Sequence, residues 1–314
     1  GGGGLYSSEV GLQAHRLFMA QRMSSSFRLG RLFGIPIHIH YSWFIIFLLV
    51  TFTFSGQYFP SFYPHWPTWL HWATGVATSV LFFASVLAHE LTHSLVSAAY
   101  GIPVRSITLF IFGGVASISR EARRPLPELA MAGSGPLSSL AIAGFFWLLW
   151  WFTATGVSEP VAALSRLLAT INLSLALFNL IPGFPLDGGR VFRSLAWQVT
   201  GNYRLATNIA FGVGQVIAYL FIVGGILLAF IGGDLFSGLW LAFIGWFLAS
   251  TVGTGRHYAR AREWLEGVRA EEVMSRDWVA VSANRTLSQL VEGNIWLTGQ
   301  RSFLVGEGST LEGL

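Results

Sequence analysis

Long apolar runs recur along the chain, separated by short stretches that hold most of the Arg and Pro. Six runs are long enough to cross a hydrocarbon core of about 30 Å: residues 37–54, 69–100, 127–154, 160–181, 205–231 and 235–252. The second, if helical throughout, extends roughly 48 Å at about 1.5 Å per residue. It must tilt, kink or protrude. Two stretches break the helical period. Residues 35–41, Ile-Pro-Ile-His-Ile-His-Tyr, alternate apolar and polar positions and predict a short interfacial strand. Residues 102–119 are β-branched and aromatic around Gly113-Gly114, which predicts a hairpin or re-entrant loop. Non-helical backbone survives at membrane depth only inside protein or along a wet cavity, so this segment is expected beside the second span. Residues 55–67, rich in Tyr, Trp and Pro, predict an interfacial loop.

Composition agrees with a polytopic α-helical membrane protein: 53% of residues are apolar and only 11% charged. Lipid bilayer is therefore the expected surroundings, with the cell membrane as location. The nineteen basic residues are all Arg, and they lie between the apolar runs rather than in one patch, which excludes nucleic acid as a partner. Arg residues flank the spans on one side: 22, 28 and 31, then 105, 120, 123 and 124, then 190, 193 and 204, then 256, 260 and 262. The positive-inside rule places that side, and both termini, in the cytoplasm. Arg166 is the exception and can snorkel outward. Residues 1–30 read as an N-terminal cytoplasmic segment, Gly-rich and aperiodic at its start, with 1–22 either non-native or disordered. Residues 31–255 read as the membrane domain, and 256–314 as a linker and a partial α/β domain in a strand–turn–helix order.

Candidate chemistry lies in the second span, as His89-Glu90-Leu91-Thr92-His93. Residues four apart share a helix face, so both histidines can reach one metal ion, and Glu90 stands where it can take a proton from water. A carboxylate at mid-membrane costs about 2.5–3.5 kcal/mol on insertion scales, and no Lys or Arg lies within the helix to neutralise it. A bound cation is one compensation; polar-face histidines packed between helices are the plainer alternative. There is no Cys, so a metal would be held by His and carboxylate alone. His38 and His40 fit either metal ligands or an ordinary edge strand.

Three separated motifs together resemble one family, the site-2 proteases, which are intramembrane zinc metalloproteases. They are the His-Glu-x-x-His above, Gly113-Gly114 in the broken segment, and Asn179-x-x-Pro182-x-x-Pro185-Leu186-Asp187-Gly188-Gly189 after the fourth span. The resemblance implies one zinc ion per chain on His89, His93 and Asp187, Glu90 as the base, and Asn179 at the family's motif asparagine. Asn179 fits a hydrogen bond to substrate backbone or oxyanion, and equally one between helices. The tail from about residue 270 resembles the first half of a cystathionine-β-synthase (CBS) type domain. Complete domains of that kind bind adenine nucleotides and pair into homodimers.

These residues predict an endopeptidase that cuts transmembrane protein substrates. The segment 107–117 is then expected to offer an exposed β edge to an unwound substrate, with Phe112, Gly113, Gly114 and Val115 in contact with it. The competing class is a CBS-regulated transporter or channel with a midplane metal site. A complete His-Glu-x-x-His discriminates against it, since transport has no use for the glutamate, and the chain shows no inverted repeat.

Overall fold

In the computed structural model, the described residues are 26–111, 113–120, 122–265, 269, 272, 280–282, 284–290, 304–307 and 310–313. They fall into two compact units, Gly1–Arg256 and His257–Leu314. The first unit opens with strands β1 (Ser26–Leu32) and β2 (Ile35–His40). Helix α1 (Ser42–Phe62) and the long α2 (Thr68–Ala99) follow. Strands β3 (Val104–Phe110) and β4 (Gly113–Ile118) form a hairpin. Helices α3 (Pro125–Thr153), α4 (Glu159–Asn179), α5 (Asp187–Thr200), α6 (Tyr203–Phe230) and α7 (Leu235–Leu265) complete the order. Six helices among the described residues are long and apolar enough to cross a membrane: α1 to α4, α6, and α7 as far as Gly253. Their outer faces carry exposed Leu48, Phe52, Val80, Phe145, Leu220 and Trp240, an apolar surface suited to lipid.

The first span departs from expectation. It begins at Ser42 rather than residue 37, and runs through the predicted loop to Phe62. A π-helical stretch at Phe54–Tyr58 carries the helix past Gly56. Pro60 then falls in the last turn of the span, Phe59–Phe62, directly after the π-helical stretch. Phe59 and Trp66, buried and stacked at 5.9 Å between centroids, pack the end of this span on Ala163 and Leu167 of α4. At the far end of the unit Asp234 caps α7. Hydrogen bonds from the Ser237 side chain and backbone hold its carboxyl below the usual carboxylate range.

Strand order is β1-β2-β3-β4, antiparallel at both ends and parallel between β2 and β3. β2 is therefore an interior strand, which corrects its reading as an edge. The cause is the parallel pairing of Ile37 with Ile107 and Ile39 with Leu109, residues far apart in the sequence. Ile35, Ile37 and Ile107 turn inward together and pack on Leu87 and Leu91 of α2. Those two leucines flank the His-Glu pair, so the sheet is seated against the motif.

In the second unit β5 (Ala280–Val281), α8 (Leu287–Leu290), β6 (Leu304–Glu307) and β7 (Thr310–Gly313) are described. β5 pairs parallel with β6, and β6 antiparallel with β7.

Candidate metal centre

Helix α2 supplies both imidazoles. His89 and His93 lie one turn apart, 4% and 6% exposed, with their Nε2 atoms 3.2 Å from each other. The third atom comes from α5. Asp187 Oδ2 lies 3.1 Å from His89 Nε2 and 3.0 Å from His93 Nε2. Two prolines and three glycines within residues 179–190 break the helical pattern and suggest an irregular backbone for Asp187. The structure instead makes it the first residue of α5, with the irregular part ending at Leu186.

The other face of each imidazole is held by α3. His93 Nδ1 lies 2.6 Å from the Met131 carbonyl. A carbonyl only accepts, so Nδ1 carries the proton and Nε2 presents a lone pair. His89 Nδ1 shares a hydrogen bond of 2.9 Å with the Ser139 hydroxyl. Between them sits Gly135, where a Cβ would overlap the imidazoles of both His93 and His89. Gly135 is therefore small on account of the two rings. It brings α3 close enough to orient both rings.

Three acceptor atoms at these separations repel one another unless a cation or protons lie between them. A tetrahedral zinc with bonds of about 2.0–2.1 Å sets its ligand atoms roughly 3.3 Å apart, close to the separations found. His89, His93 and Asp187 are also the group of His and acidic side chains among the described residues whose atoms converge in this way, all within 4.8 Å. His38 and His40 are outside it. His40 Nδ1 instead lies 2.8 Å from Ser42 Oγ, at the start of α1.

The cluster opens into a cavity of about 620 Å³ that Glu90, Asn179 and Arg190 also line. Glu90 has Gly114 of β4 against it, where a Cβ would overlap Glu90 Cγ. Gly114 is therefore small on account of the glutamate. Asn179 Nδ2 donates to Leu175 O at 3.0 Å, a bond within its own helix, with one N–H remaining. Gly113 and Val115 line the same wall, while Phe112 lies outside the described residues. β3 does not offer the free edge. Leu109 pairs with Gly114 and Thr108 with Val115, so among the described residues the free edge belongs to β4. Sequence reasoning passed over Arg190. Its signal is position: three residues after Asp187, it shares that face of α5.

The sequence profile of Peptidase family M50 matches residues 77–162 and 153–222. A zinc metalloprotease of Synechocystis sp., sll0528, is 41% identical over 286 residues, 91% of this chain and 74% of that protein. The chain belongs to peptidase family M50. Rip3 of Mycobacterium tuberculosis, also named a zinc metalloprotease, is 37% identical over 255 residues, 81% of this M50 chain and 64% of Rip3. A solved site-2 protease from Methanocaldococcus jannaschii is 29% identical, with a TM-score of 0.48, over 73% of this chain and 94% of that one. As an M50 peptidase the chain is a zinc-dependent intramembrane protease, and its cofactor is zinc.

Proposed function

We propose that this M50 peptidase hydrolyses peptide bonds in or near transmembrane segments of membrane-protein substrates, with zinc on His89, His93 and Asp187. The convergence of two Nε2 atoms and one carboxylate oxygen inside a bundle of apolar helices supports the reading most directly. Zinc, when bound, polarises a carbonyl and lowers the pKa of water. The chain's own residues do the rest. Met131 and Ser139 fix the two imidazoles by their Nδ1 atoms. Glu90 takes the proton of the attacking water and returns it to the leaving amine nitrogen. Asn179 offers its remaining N–H to the substrate carbonyl, and the apolar wall formed by Phe82, Phe83 and Leu175 keeps bulk water away.

A transmembrane helix must unwind before it can be cut, and each backbone group left unpaired in hydrocarbon costs several kcal/mol. The free edge of β4 lines the cavity at Gly113, Gly114, Val115 and Ala116. In this reading it pairs with the unwound segment as an added strand. The tail is read as part of a CBS-type domain, on its resemblance and on a strand–helix–strand–strand order among described residues. In a complete domain it would bind an adenine nucleotide and join two chains.

Glu90→Gln is nearly isosteric and cannot take up a proton at neutral pH. It is expected to keep one zinc per chain and to lose at least about 10²-fold in cleavage rate; turnover near that of the wild type would place the base elsewhere. Proline at Val115 or Ala116 removes a β4 donor. We expect steep loss with an intact transmembrane substrate and a smaller loss with a short, already extended peptide. If both prolines leave the transmembrane substrate cut at the wild-type rate, β4 only packs. For the tail, a rise in melting temperature on adding AMP that vanishes on truncation at Ala270 would support nucleotide binding, and an unchanged melting temperature would dismiss it for this chain.

A further inference from the structure

Asp187 comes from a different helix than the two histidines, so α5 must be held in place relative to α2 and α3. The loop that enters α5 contains Pro182, Gly183 and Pro185 and is held by local turn bonds alone, from Gly183 N to Ile181 O and from Leu186 N to Gly183 O. Nearly two turns beyond Asp187, Arg193 points into the protein rather than to an interface, and is only 9% exposed. Its Nε donates to Glu128 Oε1 at 2.8 Å, and its Nη2 donates to the same oxygen. Its Nη1 donates to the Tyr203 hydroxyl at 2.9 Å. The guanidinium carbon lies over two rings, 5.1 Å from the Phe184 centroid and 5.0 Å from the Tyr203 centroid. Glu128 is 1% exposed.

The partners are informative by their positions. Glu128 belongs to α3, the helix whose Met131 and Ser139 orient the histidines. Phe184 is three residues before Asp187 on the loop that enters α5. Tyr203 begins α6. One side chain thus ties the helix that orients the imidazoles to both sides of the residue that supplies the carboxylate. A buried ion pair is poor evidence for stability, because desolvation offsets most of the attraction. What the pair does fix is register, through a planar guanidinium that meets one carboxylate oxygen, one hydroxyl and two rings in one orientation.

We infer that Glu128 and Arg193 are positioning residues for Asp187, setting its carboxylate against His89 and His93 without touching metal or substrate. The inference rests on the reading of Asp187 as a zinc ligand. Groups bonded directly to a metal's ligands change its affinity about 10–100-fold when lost; this pair acts one step further out, through Phe184 and α3, and is expected to fall at the lower end, about 10-fold.

The test uses the full chain in detergent and reads zinc affinity by chelator competition, melting temperature, and kcat and KM on a transmembrane substrate. Glu128→Gln combined with Arg193→Met removes both charges, so neither is left buried and unpaired. Arg193→Lys keeps the charge but loses the fork and the stacking. The double variant is expected to stay folded, to bind zinc about 10-fold more weakly and to lose kcat with little change in KM. Arg193→Lys should fall between it and the wild type. Wild-type zinc affinity in the folded double variant overturns the inference, since a purely structural pair would give that result. If the double variant does not fold, Arg193→Lys decides: wild-type zinc affinity there overturns it and weakened affinity supports it. Asp187→Ala separates the two readings. Loss of zinc there with no effect at Glu128 and Arg193 refutes only the positioning role. Wild-type zinc affinity in Asp187→Ala removes the ligand reading and the inference with it.

Discussion

Two imidazole lone pairs and one carboxylate oxygen, held about 3 Å apart among apolar helices, form the contact on which the rest of this structure depends. Charge and lone pairs of this density are unfavourable in a medium of low dielectric unless a cation balances them. Every nearby element can be understood as serving that arrangement. α2 brings the two rings to one face, α3 turns their Nε2 atoms toward a common point, and α5 delivers the carboxylate from across the sequence. Gly135 lets α3 approach closely enough to make its two hydrogen bonds.

The sheet has a second task. Its inner face of Ile35, Ile37 and Ile107 is anchored on Leu87 and Leu91, on either side of the motif. Among the described residues its outermost strand, β4, has no partner strand on its second side, beside Glu90. An exposed strand edge is normally a liability. At a protease cavity inside a bilayer it matches what an unwound helix lacks, a partner for its backbone. Within the same cavity wall Arg190 adds positive charge on the Asp187 face of α5.

Much of this was legible in the sequence because it depends on local periodicity. Six apolar runs gave six spans, the four-residue spacing of His89 and His93 gave their shared face, and the β-branched run around Gly113-Gly114 gave the hairpin. What escaped depends on contacts between distant residues. Nothing local says that β2 pairs with β3 and so lies inside the sheet. Gly188-Gly189 reads as a break, yet it opens a helix, because close packing at that point excludes any larger side chain: a Cβ at Gly188 would overlap the Leu180 and Ile181 carbonyls. Arg193 counts as a cytoplasmic charge in the sequence and is a buried tie in the fold, since only the folded chain brings Glu128 to it. The first span outruns its prediction because its Tyr- and Pro-rich end, which reads as an interfacial loop, continues the helix through a π-helical stretch and a last turn.

The central claim is that one zinc ion is held by two imidazoles from α2 and one carboxylate from α5. X-ray absorption at the zinc edge tests it most directly. The wild-type protein should show nitrogen and oxygen neighbours at about 2.0–2.1 Å and the outer scattering of two imidazoles. In Asp187→Ala whatever zinc remains should keep both imidazoles and lose a carboxylate oxygen. A wild-type spectrum with fewer than two imidazoles, or an Asp187→Ala spectrum identical to it, would contradict the account.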